Sequence, residues 1–156
     1  MVGIRVYADT SVYGGVFDEE FAEPSRTFFD QVREGRFRLI LSPVVRDELD
    51  DAPESVKELF DELRRLGETV DVTEEAVRLQ EAYLDARIVG SKWEADALHV
   101  AIATVWQCRL IVSWNFKHIV NFQKIPLYNG VNLALGYGVV GIHTPQEVIA
   151  HENEDV

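Results

Sequence analysis

Apolar and polar positions follow two rhythms along the chain. Residues 4–8, Ile-Arg-Val-Tyr-Ala, are β-rich and run out into the polar cluster Asp9-Thr10-Ser11, which predicts a strand followed by a loop. Helical spacing begins at Pro24 and carries Phe28, Phe29 and Val32 on one face until Gly35 stops it. Residues 37–41 predict a second strand. Ser42-Pro43 then caps a helix to about position 51, with proline at its first position. Val56, Leu59, Phe60, Leu63 and Leu66 place a 3.6-residue stripe on a helix over 54–66, closed by Gly67. The rhythm returns over 73–87, where Thr73 suits the N-cap, so residues 50–87 predict a helical insertion or hairpin, amphipathic and charged outside. Residues 93–106 are apolar on nearly every side, the pattern of a buried helix. Strands follow over 109–112 and 139–142, and Thr144-Pro145 opens a final short helix. The tail from His151 is expected to fray, leaving one domain over 1–150.

Strands alternating with helices imply an α/β fold: three layers, α/β/α, around a mainly parallel central sheet. On such sheets ligands sit at the carboxyl ends of the strands. The residues just after each strand are therefore the ones to weigh.

Composition narrows the function. The chain has 156 residues, 47% hydrophobic and 27% charged, which are ordinary globular proportions. No apolar run approaches a membrane span, and residues 1–8 lack the pattern of a signal peptide. The single cysteine, Cys108, fits a reducing compartment and a cytoplasmic location. Fifteen basic residues stand against 27 acidic ones, net −12, and only 3 basic and 4 acidic residues fall in 101–156. Such a surface repels a nucleic-acid backbone unless basic groups cluster locally or cations intervene.

Three acids occupy the informative positions. Asp9 follows the first strand, Glu48 lies on the short helix after the second, and Asp96 lies on the first turn of the buried helix. Each has a plainer role on its own: a turn former, a solvated helix residue and an acid favoured by the helix dipole. Together they suggest a cation site. Clustered carboxylates repel one another until a cation neutralises them, and Mg²⁺ or Mn²⁺ prefers such oxygens. Thr10 and Ser11 are candidates to hold water or a phosphate oxygen, or simply to complete the turn. Tyr13, Phe17 and Phe21 read equally as core or as a partner contact. Gly136 to Gly141 matches G-x-G-x-x-G but precedes a strand, so these are loop glycines. His99 shares a helix face with Asp96 and reads as a core or near-site histidine rather than a ligand. Lys117 and His118 read as a solvated turn, and Cys108 as a small buried hydrophobe.

Four segments in order resemble the PIN-domain family, which includes the ribonuclease toxins of type II toxin–antitoxin modules. They are Val6-Tyr7-Ala8-Asp9-Thr10-Ser11-Val12, Leu41 to Leu49 ending around Glu48, Asp96 to Ala103, and Ile111-Val112-Ser113-Trp114-Asn115-Phe116. The resemblance implies a metal site of Asp9, Glu48, Asp96 and position 115, with Ser113 as a further substrate or water contact. Position 115 departs from the family, which usually has an acid there. The Asn115 amide oxygen can still ligate without charge, or it can cap a short helix over 116–120.

The resemblance further implies a Mg²⁺- or Mn²⁺-dependent endoribonuclease, an RNA substrate, an antitoxin protein as partner and a homodimer as an option. The alternative is a PIN-like binding or scaffold protein that is weakly active or inactive, which Asn115 and the charge of −12 favour. A phosphatase of the haloacid-dehalogenase type fits less well, because it wants a second Asp where Ser11 stands. The helices of 54–87 are expected to offer an apolar groove to the antitoxin.

Overall fold

The computed structural model describes residues 3–150. Five parallel strands form the sheet: β1 (Ile4–Ala8), β2 (Phe37–Leu41), β3 (Glu68–Thr69), β4 (Leu110–Val112) and β5 (Gly141–His143), in the order β3-β2-β1-β4-β5. β1 lies at the centre. Val6 pairs with Leu39 of β2 on one side and with Leu110 of β4 on the other. A central strand needs apolar residues on both faces, and Val6, Tyr7 and Ala8 are fully buried.

The helices are α1 (Thr10–Gly15), α2 (Ala22–Arg33), α3 (Pro43–Glu48), α4 (Glu54–Leu66), α5 (Glu74–Asp85), α6 (Glu94–Val105), α7 (Ile125–Ala134) and α8 (Pro145–Val148). Arg5 and Tyr7 both reach towards α6, Arg5 by donating to the Trp106 carbonyl and Tyr7 by bonding His99. Val6 and Ala8 therefore face the opposite layer, which α1, α2 and α4 build around β2. The α/β/α architecture expected from the alternating pattern is the one observed.

Local chemistry sets many of the boundaries. Ser42 caps α3 ahead of Pro43, Thr73 caps α5, and Thr144 and Glu147 form a reciprocal capping box on α8. Gly35 ends α2 with φ of +84°, a conformation that disfavours a side chain.

Several expectations need correction. The expected loop after β1 contains α1, whose first residue directly follows Asp9. Residues 116–120 form hydrogen-bonded turns in place of a helix. β3 and α7 carry too weak a pattern to be expected: β3 has two residues, and α7 includes Pro126 and Gly130. The last strand starts two residues later than the sequence pattern places it.

The helices of 54–87 do not combine into one groove. α4 packs on α1 and β2, whereas α5 packs on α6 and α7. Exposed large apolar side chains gather further along, at Phe116, Phe122, Leu127, Leu133, Leu135 and Val139. Among the described residues no helix is long and apolar enough to cross a membrane. The tail expected to fray, 151–156, lies outside the described residues.

Candidate active site

The strand order makes the chain turn outward in opposite directions from β1 and β4. That switch point leaves a crevice at their carboxyl ends. Asp9 and Ser113 are the first residues beyond those two strands. Their side chains meet there: Ser113 Oγ donates to Asp9 Oδ2 at 2.9 Å, and Ser11 Oγ donates to Asp9 Oδ1 at 2.6 Å. Each serine also accepts a backbone N–H from the β4 exit, Ser11 from Trp114 at 2.8 Å and Ser113 from Asn115 at 2.9 Å. The hydroxyls thereby lock the Asp9 carboxylate to the start of the next loop. Asp9 is only 4% exposed. Burial, opposed by His99 and the two hydroxyls, holds its carboxyl above the usual range.

Glu48 is drawn in by a different partner. His99 Nε2 lies 2.6 Å from Glu48 Oε1, with the histidine side chain 2% exposed and the glutamate 34%. Thr10 Oγ1 donates to the same oxygen at 2.5 Å. Behind His99, Nδ1 is 2.6 Å from the Tyr7 hydroxyl, which is 2.8 Å from Ser42 Oγ. A buried chain of Ser42, Tyr7, His99 and Glu48 thus joins β1, β2, α3 and α6. Burial opposes the imidazolium, but the bond to Glu48 and the charges of Asp9, Glu48 and Asp96 outweigh it and raise the His99 pKa. Burial likewise opposes the Glu48 carboxylate, and the His99 and Thr10 bonds outweigh it to lower its pKa. Tyr7 stays a neutral phenol, because burial raises its pKa well above the usual value.

Asp96 and Asn115 form the third corner. Burial raises the Asp96 pKa against the opposing effects of His118, His99 and a hydrogen bond from the Asn115 side chain. Asn115 Oδ1 already accepts the backbone N–H groups of Lys117 at 3.2 Å and His118 at 2.9 Å. The amide oxygen therefore caps the turn, and the amide NH₂ is left as the group that can donate towards Asp96.

All three acids bear electrostatically on His99, and Glu48 bears on Asp9 and Asp96. Among the described residues, however, no group of three or more His, Cys, Asp or Glu side chains is arranged to hold a metal ion. Glu48 is turned to His99 and Asn115 to the backbone. Neither Asp9 nor Asp96 has a Lys or Arg ion partner among the described residues.

His99 is a buried, near-site histidine as expected, but its organising role was not legible, because its partners come from β1 and α3. His118 also departs from expectation. It is 7% exposed and stacks on Trp93, with ring centroids 4.6 Å apart. The first aromatic set divides: Tyr13 is core, Phe17 is exposed, and Phe21 stacks on Trp114 at 4.3 Å. Cys108 is buried as expected.

The chain is similar in structure to a chain of VapBC2 from Rickettsia felis, solved bound to a DNA fragment from their promoter. The TM-score is 0.58 at 14% sequence identity, covering 89% of this chain and 98% of that one. The fold is PIN-like. At that identity the likeness is one of fold. Neither the family models nor the curated proteins contain a match to the sequence. In this PIN-like frame the four motif segments fall on β1 and α1, α3, α6, and the exit of β4.

Proposed function

We propose that this PIN-like protein is an endoribonuclease of the toxin kind, dependent on a divalent cation and restrained by an antitoxin. One observation carries the reading. A buried carboxylate, Asp9, stands at the switch point of a parallel sheet, held by two hydroxyls and with no Lys or Arg ion partner among the described residues. Two hydroxyls and a nearby imidazole offset the cost of burying such a carboxylate only in part, and a cation removes the remainder. The resemblance to toxin ribonucleases and the fold neighbour from VapBC2 supply the substrate class and the antitoxin.

The donor chemistry suits Mg²⁺ or Mn²⁺. Magnesium keeps several of its waters and takes one or two carboxylates together with substrate phosphate. Asp9 and Asp96 would hold the ion, while Glu48 and Asn115, implied as ligands by the motifs, are engaged elsewhere. Bound there, the ion supplies Lewis-acid stabilisation of charge developing on a phosphodiester.

The chain's own residues do the rest. Ser11 and Ser113 fix the Asp9 carboxylate against rotation. Tyr7 fixes the His99 ring, and His99 fixes Glu48 with its carboxylate ionised. Glu48, a third exposed at the mouth of the crevice, is placed to accept a proton from an attacking water.

The test is cleavage of single-stranded RNA with Mg²⁺, with Mn²⁺ and with EDTA, for the parent and for Asp9→Asn. The parent is expected to cut only with the metal, and Asp9→Asn to lose the activity while keeping its melting curve in EDTA. Cleavage that survives EDTA or that substitution refutes the reading. A second reading, a non-catalytic PIN-like binding protein, is favoured by the Asn115 oxygen being committed to the backbone. It predicts RNA binding or partner binding with no metal-dependent cutting.

A further inference from the structure

In a chain with 15 basic residues and a net charge of −12, three of the four lysines stand around one aromatic pair. Lys92 Nζ lies 5.2 Å and Lys117 Nζ 5.7 Å from the ring centroid of Trp93. His118 stacks on that ring, with an interplanar angle of 28°. Lys124 bears electrostatically on His118 and donates to the Ile88 carbonyl at 2.5 Å. Trp93, at the N-cap position of the buried helix α6, is 39% exposed. Both ring nitrogens of His118 are buried and have no hydrogen-bond partner among the described residues.

These features lie beside the candidate active site. Trp93 precedes Asp96 by three residues, and His118, stacked on Trp93, is the strongest of the influences that oppose the burial of the Asp96 carboxylate. We infer that Trp93, backed by His118, is a stacking platform for one base of single-stranded RNA, with Lys92 and Lys117 contacting the flanking phosphates.

The physical case has three parts. Every base offers a π-face, so an exposed indole recognises a single strand without a sequence code. Stacking against His118 holds the indole in one orientation before the base arrives, which reduces the ordering cost of binding. The Lys92 and Lys117 charges, over the indole ring in the free protein, supply the local basic cluster that an acidic surface otherwise denies to phosphate, and their flexible stems let them move from the ring to the flanking phosphates as the base stacks. The platform then sets which phosphodiester lies over Asp9 and Asp96. This last point rests on the nuclease reading; the binding itself does not.

The test uses the full chain and a fluorescent single-stranded RNA dodecamer, titrated in EDTA so that nothing is cut. Trp93→Ala is expected to weaken binding about 5- to 150-fold, the range for losing one base–aromatic stack. Trp93→Phe is expected to restore most of it. Lys92→Glu with Lys117→Glu is expected to flatten the slope of log Kd against log salt by about 1.4, or roughly 0.7 per phosphate contact. Melting curves of each variant verify that it folds.

Unchanged binding by Trp93→Ala overturns the proposal. So does equal weakening by Trp93→Ala and Trp93→Phe, which marks a packing role. Equal affinity for duplex RNA also overturns it, since a paired base cannot stack on the indole. If the expected binding pattern holds but the parent cuts no RNA with Mg²⁺ or Mn²⁺, the platform stands and the nuclease reading fails. If RNA is cut with the metal and Trp93→Ala leaves KM and the cleavage position unchanged, the nuclease reading stands and the platform fails.

Discussion

Replacing Asn115 with aspartate tests the geometry of the acidic corner directly. The new carboxylate keeps the oxygen that accepts the Lys117 and His118 backbone N–H groups, so the turn is preserved. It loses the NH₂ that meets Asp96 and sets a second negative charge against that carboxylate. Two unit charges about 4 Å apart at an effective dielectric of 20 repel by about 4 kcal/mol. Asp96 is only half-buried, so solvent screening reduces this to about 2 kcal/mol. For a chain of this length, that is a melting temperature lower by about 4–8 °C at pH 7 without metal.

The pH dependence has a definite sign. A carboxyl whose folded pKa is raised binds more protons folded than unfolded, so its cost is absent below the unfolded pKa and grows as pH rises through the folded one. The deficit of Asn115→Asp should therefore shrink as the pH falls from neutrality towards the ordinary carboxylate range, as the pair takes up one proton. Adding Mn²⁺ should raise the variant's melting temperature more than the parent's, because a ligand that binds only the folded state stabilises it by mass action. Calorimetry across pH, with and without Mn²⁺, measures all three effects. Equal melting at every pH would falsify the contact between residue 115 and Asp96. An equal Mn²⁺ shift in both proteins places residue 115 outside any cation's reach.

His99→Ala removes the partner of Glu48 and Tyr7 and should cost about 2–4 kcal/mol in denaturant unfolding. The raised His99 pKa and lowered Glu48 pKa make the charged part of that loss greatest between about pH 4.5 and 6.5 and smaller above the folded His99 pKa; a cost that does not vary with pH contradicts the ion pair. Gly67→Ala places a Cβ 2.5 Å from the Leu39 carbonyl oxygen and 2.6 Å from the Leu41 side chain, so it should cost about 1–3 kcal/mol, and an unfolding midpoint equal to the parent's rules out that close approach. The Cys108 thiol, pushed up to about 12 by burial, should resist a thiol reagent in native buffer and react fully in denaturant; rapid native labelling shows the strand edge to be open.

The sequence alone carried the layer architecture, because amphipathic spacing and cap residues are local. Four strand positions alternating with helices cannot bury their apolar residues except in a parallel sheet between helices. The helix over 54–66 and the Ser42, Thr73 and Thr144 caps are fixed by neighbours in the chain. The rule that sites form where strands end pointed to Asp9 and Glu48, and the apolar pattern of 93–106 put Asp96 on the first turn of a buried helix. Weakly patterned pieces escaped: β3 is two residues long, and α7 is stabilised through Tyr128 and Asn132 bonding to distant residues. Tertiary structure alone decided what the site residues do. Whether Glu48 faces a cation or His99 depends on a contact across 51 residues, and the orientation of Asn115 depends on which backbone N–H groups the turn presents. The pairing of Trp93 with His118 joins α6 to the loop after β4. Periodicity reports which face of an element is apolar; it carries no information about which side chain of another element that face will meet.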